Sequence, residues 1–165
     1  MKQTRLILTL AAVCLLIGPL AGSTQAAEEG VVKRGIYGGV GFGAGFFEGP
    51  SNTEYAWRAH VWWRPHEYFA AEIGYIDAGD PSSTPSNEGL HLVAAPMVPV
   101  GPVDLIGKVG GFFPGLSDDD VAGGLGLGYR FYRGFGVRMD WDRLGWEDDD
   151  PIDVVTVSLY YHLSR

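Results

Sequence analysis

The chain reads as an all-β protein: a cleavable leader, then one eight-stranded antiparallel up-and-down barrel that spans a membrane with its strands. Three observations predict this class. After the N-terminal segment, eight runs alternate apolar residues with polar or small ones, each close to the roughly 9 to 11 residues that a tilted spanning strand requires. Tight turns alternate with longer loops along the chain. Apolar faces carry large aromatics near many strand ends, while the opposite faces carry glycine and charge.

The leader comes first. Lys2 and Arg5 precede an apolar run from Leu6 to Leu20, and small residues follow at Ala21, Gly22, Ser23, Ala26 and Ala27. This is the layout of a secretory signal peptide over residues 1–26, with Thr24-Gln25-Ala26 before the cut and the barrel domain over 27–165. Removing it takes away two cations and no acid, so the net charge of −8 becomes more negative still. An acidic chain without a basic stripe argues against nucleic acid as a partner. Cys14, the single cysteine, lies within the apolar run, so the mature chain is expected to have no thiol. Lipidation there would leave Leu15 to Leu20 as an apolar terminus, and Ser23 stands where a lipidated cysteine would be expected.

The eight strands are read in order as Gly35 to Phe47, Glu54 to Trp63, Tyr68 to Asp77, Glu88 to Val98, Val103 to Phe113, Val121 to Phe131, Phe135 to Leu144 and Ile152 to Leu163. The first is rich in glycine, with Phe42 and Phe46 on one face. The second places Tyr55, Trp57, Ala59, Val61 and Trp63 opposite Arg58, His60 and Trp62. The third carries Phe69 and Tyr75 against Glu72, the fourth carries His91, and the fifth carries Asp104 and Lys108. In the sixth, Leu125, Leu127, Tyr129 and Phe131 oppose Gly124, Gly126, Gly128 and Arg130. The seventh sets Phe135, Val137, Met139 and Trp141 against Arg138, Asp140 and Asp142, and the eighth sets Val155, Val157, Leu159, Tyr161 and Leu163 against Thr156, Ser158, Tyr160 and His162. Arg64-Pro65-His66-Glu67, Pro99-Val100-Gly101-Pro102 and Tyr132-Arg133-Gly134 are tight turns, and Glu48 to Thr53, Ala78 to Asn87, Pro114 to Asp120 and Gly145 to Pro151 are the longer loops.

A soluble periplasmic barrel that binds a ligand would reverse the faces, apolar side inward. Side-chain size decides against it. Phe42, Phe46, Trp57, Trp63, Phe69, Tyr75, Trp141 and Tyr161 suit interfacial girdles. Eight strands enclose only enough room for ordinary side chains, and the glycine faces suit that narrow lumen. The same geometry leaves no wide aqueous channel.

Parity then points Arg58, Glu72, Lys108, Arg130, Arg138 and Asp140 inward, joined by His60, His91 and Asp104. Buried charges must be paired or hydrated. Both signs occur on nearby strands, so an interior ion-pair network follows, with Glu72 available to Lys108, Arg130 or Arg138, and Asp140 available to Arg58 or Arg130. A catalytic acid–base pair in the same place would need substrate access that a plugged lumen does not offer.

Several segments carry a resemblance. Gly35-Ile36-Tyr37-Gly38-Gly39-Val40-Gly41, Ala71-Glu72-Ile73-Gly74-Tyr75, Gly107-Lys108-Val109-Gly110-Gly111, Gly124-Leu125-Gly126-Leu127-Gly128-Tyr129 and Val137-Arg138-Met139-Asp140-Trp141, in this order, resemble the OmpA-like transmembrane barrel family. The resemblance implies a bacterial outer-membrane location, outer-membrane lipid and lipopolysaccharide as surroundings, insertion by the barrel-assembly machinery, a monomer, and a Glu–Lys–Arg group at Glu72, Lys108 and Arg138. The family usually ends on an aromatic residue, whereas this sequence ends Leu163-Ser164-Arg165, and no cell-wall-binding domain follows the barrel.

Two further features bear on function. His162 and Ser164 have the i, i+2 spacing of lipid A deacylases, which resemble this chain in size, but no acidic residue follows them to orient the histidine. His91 alone lies near the outward loops for an Asp–His protease arrangement. Asp118, Asp119 and Asp120 in the third loop, with Glu147, Asp148, Asp149 and Asp150 in the fourth, form acidic runs. Clustered carboxylates bind calcium or magnesium weakly, but neither run has the alternating spacing of a defined calcium loop, so solvated loops are the favoured reading. The expectation is a non-enzymatic barrel without cofactor or metal, serving envelope integrity or surface interaction.

Overall fold

The computed structural model describes residues 34–47, 53–79, 87–114, 120–146 and 151–164. The expected leader, residues 1–26 with Cys14, lies outside the described residues, as do Asp118, Asp119, Glu147, Asp148, Asp149 and Asp150. The described chain forms eight strands: β1 (Gly35–Phe46), β2 (Thr53–His66), β3 (Phe69–Asp77), β4 (Glu88–Val100), β5 (Val103–Pro114), β6 (Asp120–Tyr132), β7 (Phe135–Leu144) and β8 (Ile152–His162). Each pairs antiparallel with its chain neighbours, and β1 pairs with β8 to close the barrel, so no sheet edge is left unpaired.

Three strands run further than their sequence pattern suggests, which leaves connections of two residues: Glu67-Tyr68, Gly101-Pro102 and Arg133-Gly134. Two β-bulges lie at this end of the barrel. One shifts the β2–β3 register between Trp63 and His66, around Pro65, which has no amide hydrogen to give the ladder. The other shifts the β6–β7 register between Arg130 and Tyr132. Arg64 and Arg130 sit at these two irregularities, where a bulge re-aims side chains.

Burial alternates with residue parity along the strands, most regularly in β2, β3, β4 and β7. The outward positions form an apolar belt that includes Phe42, Trp57, Trp63, Leu92, Leu125 and Leu159, all exposed. The lumen is filled in layers. Toward the short turns, Tyr37, Trp62, Ala70, Ala95, Met97, Ile106 and Tyr160 pack together. Tyr37 stacks on Trp62 at 5.1 Å, and the Tyr160 ring meets Trp62 edge-on at 5.1 Å. Toward the long loops, Ala56, Ile76, Ala78, Phe112, Ala122, Leu144 and Val154 form a second cluster. The interior therefore takes Tyr37 and Phe112 as well as Trp62 and Tyr160, more rings than a narrow lumen suggests, while Phe42, Trp57, Trp63, Phe69, Trp141 and Tyr161 lie exposed on the outer face as their parity predicts.

Candidate functional site: the charged interior

Between the two apolar clusters lies a layer of charge, and each strand's inward positions show why. Along β2 the inward residues run Ala56, Arg58, His60, Trp62, and along β7 they run Arg138, Asp140, Asp142, Leu144, so the charged residues lie between the loop-end cluster and the aromatic layer. The neighbouring strand supplies room. An added Cβ at Gly126 would lie 2.7 Å from Asp140 Oδ1, so the glycine on β6 is what lets the carboxylate of β7 lie flat against the wall.

Glu72 is the hub. Its Oε1 accepts from Arg58 Nη2 at 2.5 Å and lies 2.9 Å from His91 Nε2, while its Oε2 accepts from Arg138 Nη1 at 2.5 Å. Asp140 is the second hub, with Arg138 Nε at 2.8 Å, Lys108 Nζ at 2.9 Å and Arg58 Nη1 at 3.3 Å. Asp142 takes Arg58 Nη1 at 2.7 Å and also pairs with Lys108. Arg58, Lys108 and Arg138 thus face Glu72, Asp140 and Asp142, three cations against three anions, all buried. Removing charges from water this completely is tolerable only when each ion has several partners. The Arg138 guanidinium also lies over the Trp62 ring, 5.2 Å from its centroid, which links the charged layer to the aromatic one.

Beyond the aromatic layer, at the short-turn end, stands a second group. Asp104 receives Arg64 Nη1 at 3.0 Å and Nη2 at 3.1 Å, and it also pairs with Arg130. Arg64 further donates to the Glu67 carbonyl at 2.6 Å, and Arg130 donates to the Gly101 carbonyl at 2.8 Å. Two cations share one carboxylate here, and Arg130 retains some exposure.

The six inward charges read from the sequence therefore fall into two groups. Arg58, Glu72, Lys108, Arg138 and Asp140 meet in the central layer, whereas Arg130 belongs to the turn-end triad and touches neither Glu72 nor Asp140. Lys108 pairs with Asp140 and Asp142 rather than with Glu72. Two members were missed. Asp142 shares the inward parity of Asp140 and joins its network, and Arg64, which the sequence pattern places in a turn, belongs to β2 and pairs with Asp104.

Of the acidic loop residues, only Asp120 is described, at the start of β6 opposite Phe112. Among the described residues no group of three or more His, Cys, Asp or Glu side chains is placed to hold a metal ion. Ser164 Oγ lies 2.9 Å from His162 Nε2 and accepts the Ile36 amide hydrogen at 3.0 Å, while the Leu163 amide donates to the Ile36 carbonyl at 2.7 Å. The pair fastens the end of the chain onto the start of β1. Near the triad, the space left among Tyr37, Trp62, Asp104, Arg138 and Tyr160 is about 10 Å³, at the lower limit for one water molecule and far too small for a solute.

The backbone can be compared with known folds. It is similar to a de novo designed transmembrane β-barrel, with TM-score 0.58 and 14% identity over 80% of this chain and 98% of the other. It is also similar to Ail, the attachment invasion locus protein of Yersinia pestis, with TM-score 0.56 and 13% identity over 78% of this chain and 99% of that one. Neisserial surface protein A gives TM-score 0.51 and 10% identity over 78% and 97%. The likeness is one of fold. Neither a protein-family model nor a curated protein sequence matches the chain.

Proposed function

We propose that the chain is a small bacterial outer-membrane β-barrel of the OmpA-like kind, monomeric and non-enzymatic, which serves the envelope structurally or through contacts at its surface. The observation that carries this reading is the inversion of polarity: the outward face is an apolar belt with aromatic residues, and the charge is inside. In water that arrangement would expose a continuous apolar surface far larger than a soluble monomer carries. In a bilayer it is the expected one.

The filled lumen supports a structural role rather than transport, since apolar clusters cap the ion-pair layer on both sides. In this reading lipid and lipopolysaccharide surround the barrel, the barrel-assembly machinery inserts it, and the loops supply any surface contact. The experiment is cell fractionation followed by electrophoresis of unheated and boiled samples in detergent. The reading expects the protein in the outer-membrane pellet, with a heat-dependent change in mobility. Release in the soluble periplasmic fraction without detergent would overturn it and favour a ligand-binding barrel.

A further inference from the structure

We propose that the short-turn rim carries a binding surface for the phosphate headgroups of anionic phospholipid, with Arg133 as its central contact. This rests on the membrane-spanning reading above and adds a lipid class and a leaflet to it.

The starting point is a strained residue. The β6–β7 turn has positive φ at both central positions, 40° at Arg133 and 92° at Gly134. A two-residue hairpin of this hand favours Asn or Asp followed by Gly, because short polar side chains tolerate the left-handed region. Arg133 is the only residue other than glycine with positive φ among the described residues. Turn geometry alone therefore does not account for an arginine, and strain of this kind accompanies functional positions.

Its surroundings indicate the ligand. The Arg133 guanidinium lies over the exposed Tyr132 ring, 5.1 Å from the centroid. Phe131, Phe135 and Tyr161 are also exposed at this rim, and the last two rings pack at 4.6 Å. Aromatic rings at headgroup depth with an arginine just beyond them form an amphipathic edge whose apolar part enters the acyl region, while the guanidinium reaches phosphate oxygens. Charge along the barrel is complementary to such a ligand. Exposed Arg34 stands on the same rim as Arg133, the triad of Arg64, Arg130 and Asp104 adds one net cation just inside it, and Glu67 of the β2–β3 turn offsets only part of this charge. At the opposite end, the outward residues Asp77 and Glu88 face each other across β3 and β4. Short turns face the periplasm in barrels of this class, so the cationic rim meets the inner leaflet.

The test uses the folded full barrel in phosphatidylcholine vesicles, with and without phosphatidylglycerol, read by its denaturant unfolding equilibrium. Phosphatidylglycerol is expected to raise the folding constant of the wild type, with a share of about fivefold belonging to Arg133, and raised salt should shrink that gain. Arg133→Asn suits the turn, so it should fold at least as well as the wild type in phosphatidylcholine alone while losing the Arg133 share of the gain. The same gain in Arg133→Asn as in the wild type would overturn the proposal. So would equal stability of the wild type in both vesicles, or equal stabilisation by free inorganic phosphate. Failure to insert into either vesicle would overturn the membrane-spanning reading as well.

Discussion

The central layer and the turn-end triad are both made of inward arginines and carboxylates, but their surroundings differ. In the centre, Arg58, Lys108 and Arg138 are matched by Glu72, Asp140 and Asp142, and apolar clusters close the layer above and below. At the turn end, Arg64 and Arg130 share Asp104, two backbone carbonyls take part of the hydrogen bonding, and solvent reaches the edge. A closed layer must balance its charge internally because no water is available to screen an excess. An open one can keep a net cation. The difference teaches that the same residue types serve as a plug in one place and as part of a polar rim in the other.

The largest effect is expected from breaking the central layer. Arg58→Met leaves Glu72, Asp140 and Asp142 short of a buried cation and should cost about 3–5 kcal/mol in denaturant unfolding of the barrel in micelles. Adding Asp142→Asn to Arg58→Met restores the charge count and should recover part of that loss, giving a clear coupling in a double-mutant cycle. A smaller loss, about 1–3 kcal/mol, is expected when Gly126→Val pushes a side chain against Asp140 and Arg138. The smallest belongs to the triad: Asp104→Asn should cost about 1–2 kcal/mol, because each arginine keeps a backbone carbonyl partner and Arg130 is partly exposed. Equal losses at Arg58 and Asp104 would erase the distinction between the two regions.

The barrel itself was legible because period-2 alternation is local, and it marks the faces of Trp57, Arg58, Ala59 and His60 before any pairing is known. Pairing partners were not legible. Whether Lys108 reaches Glu72 or Asp140 depends on strand stagger around a closed sheet, which no single strand encodes. Arg64 was hidden because Pro65 reads as a turn residue, whereas here it occupies a bulge that keeps β2 running to His66. Parity places Trp62 and Tyr160 inward, but a lumen this narrow gave no sign of the ring layer they form with Tyr37, and close-lying glycine helps to leave the room. Gly136, for instance, lies directly beneath the Tyr160 ring.

The central claim is that the apolar face is outside and in lipid. Because Cys14 is the sequence's only cysteine, replacing it with serine lets single cysteines be placed at Val155, Val157 and Leu159 of β8 and spin-labelled in vesicles. The account predicts that all three labels collide with dissolved oxygen and are shielded from a water-soluble nickel chelate. Ready collision of the chelate with the label at Val157 would place that face in water and contradict it.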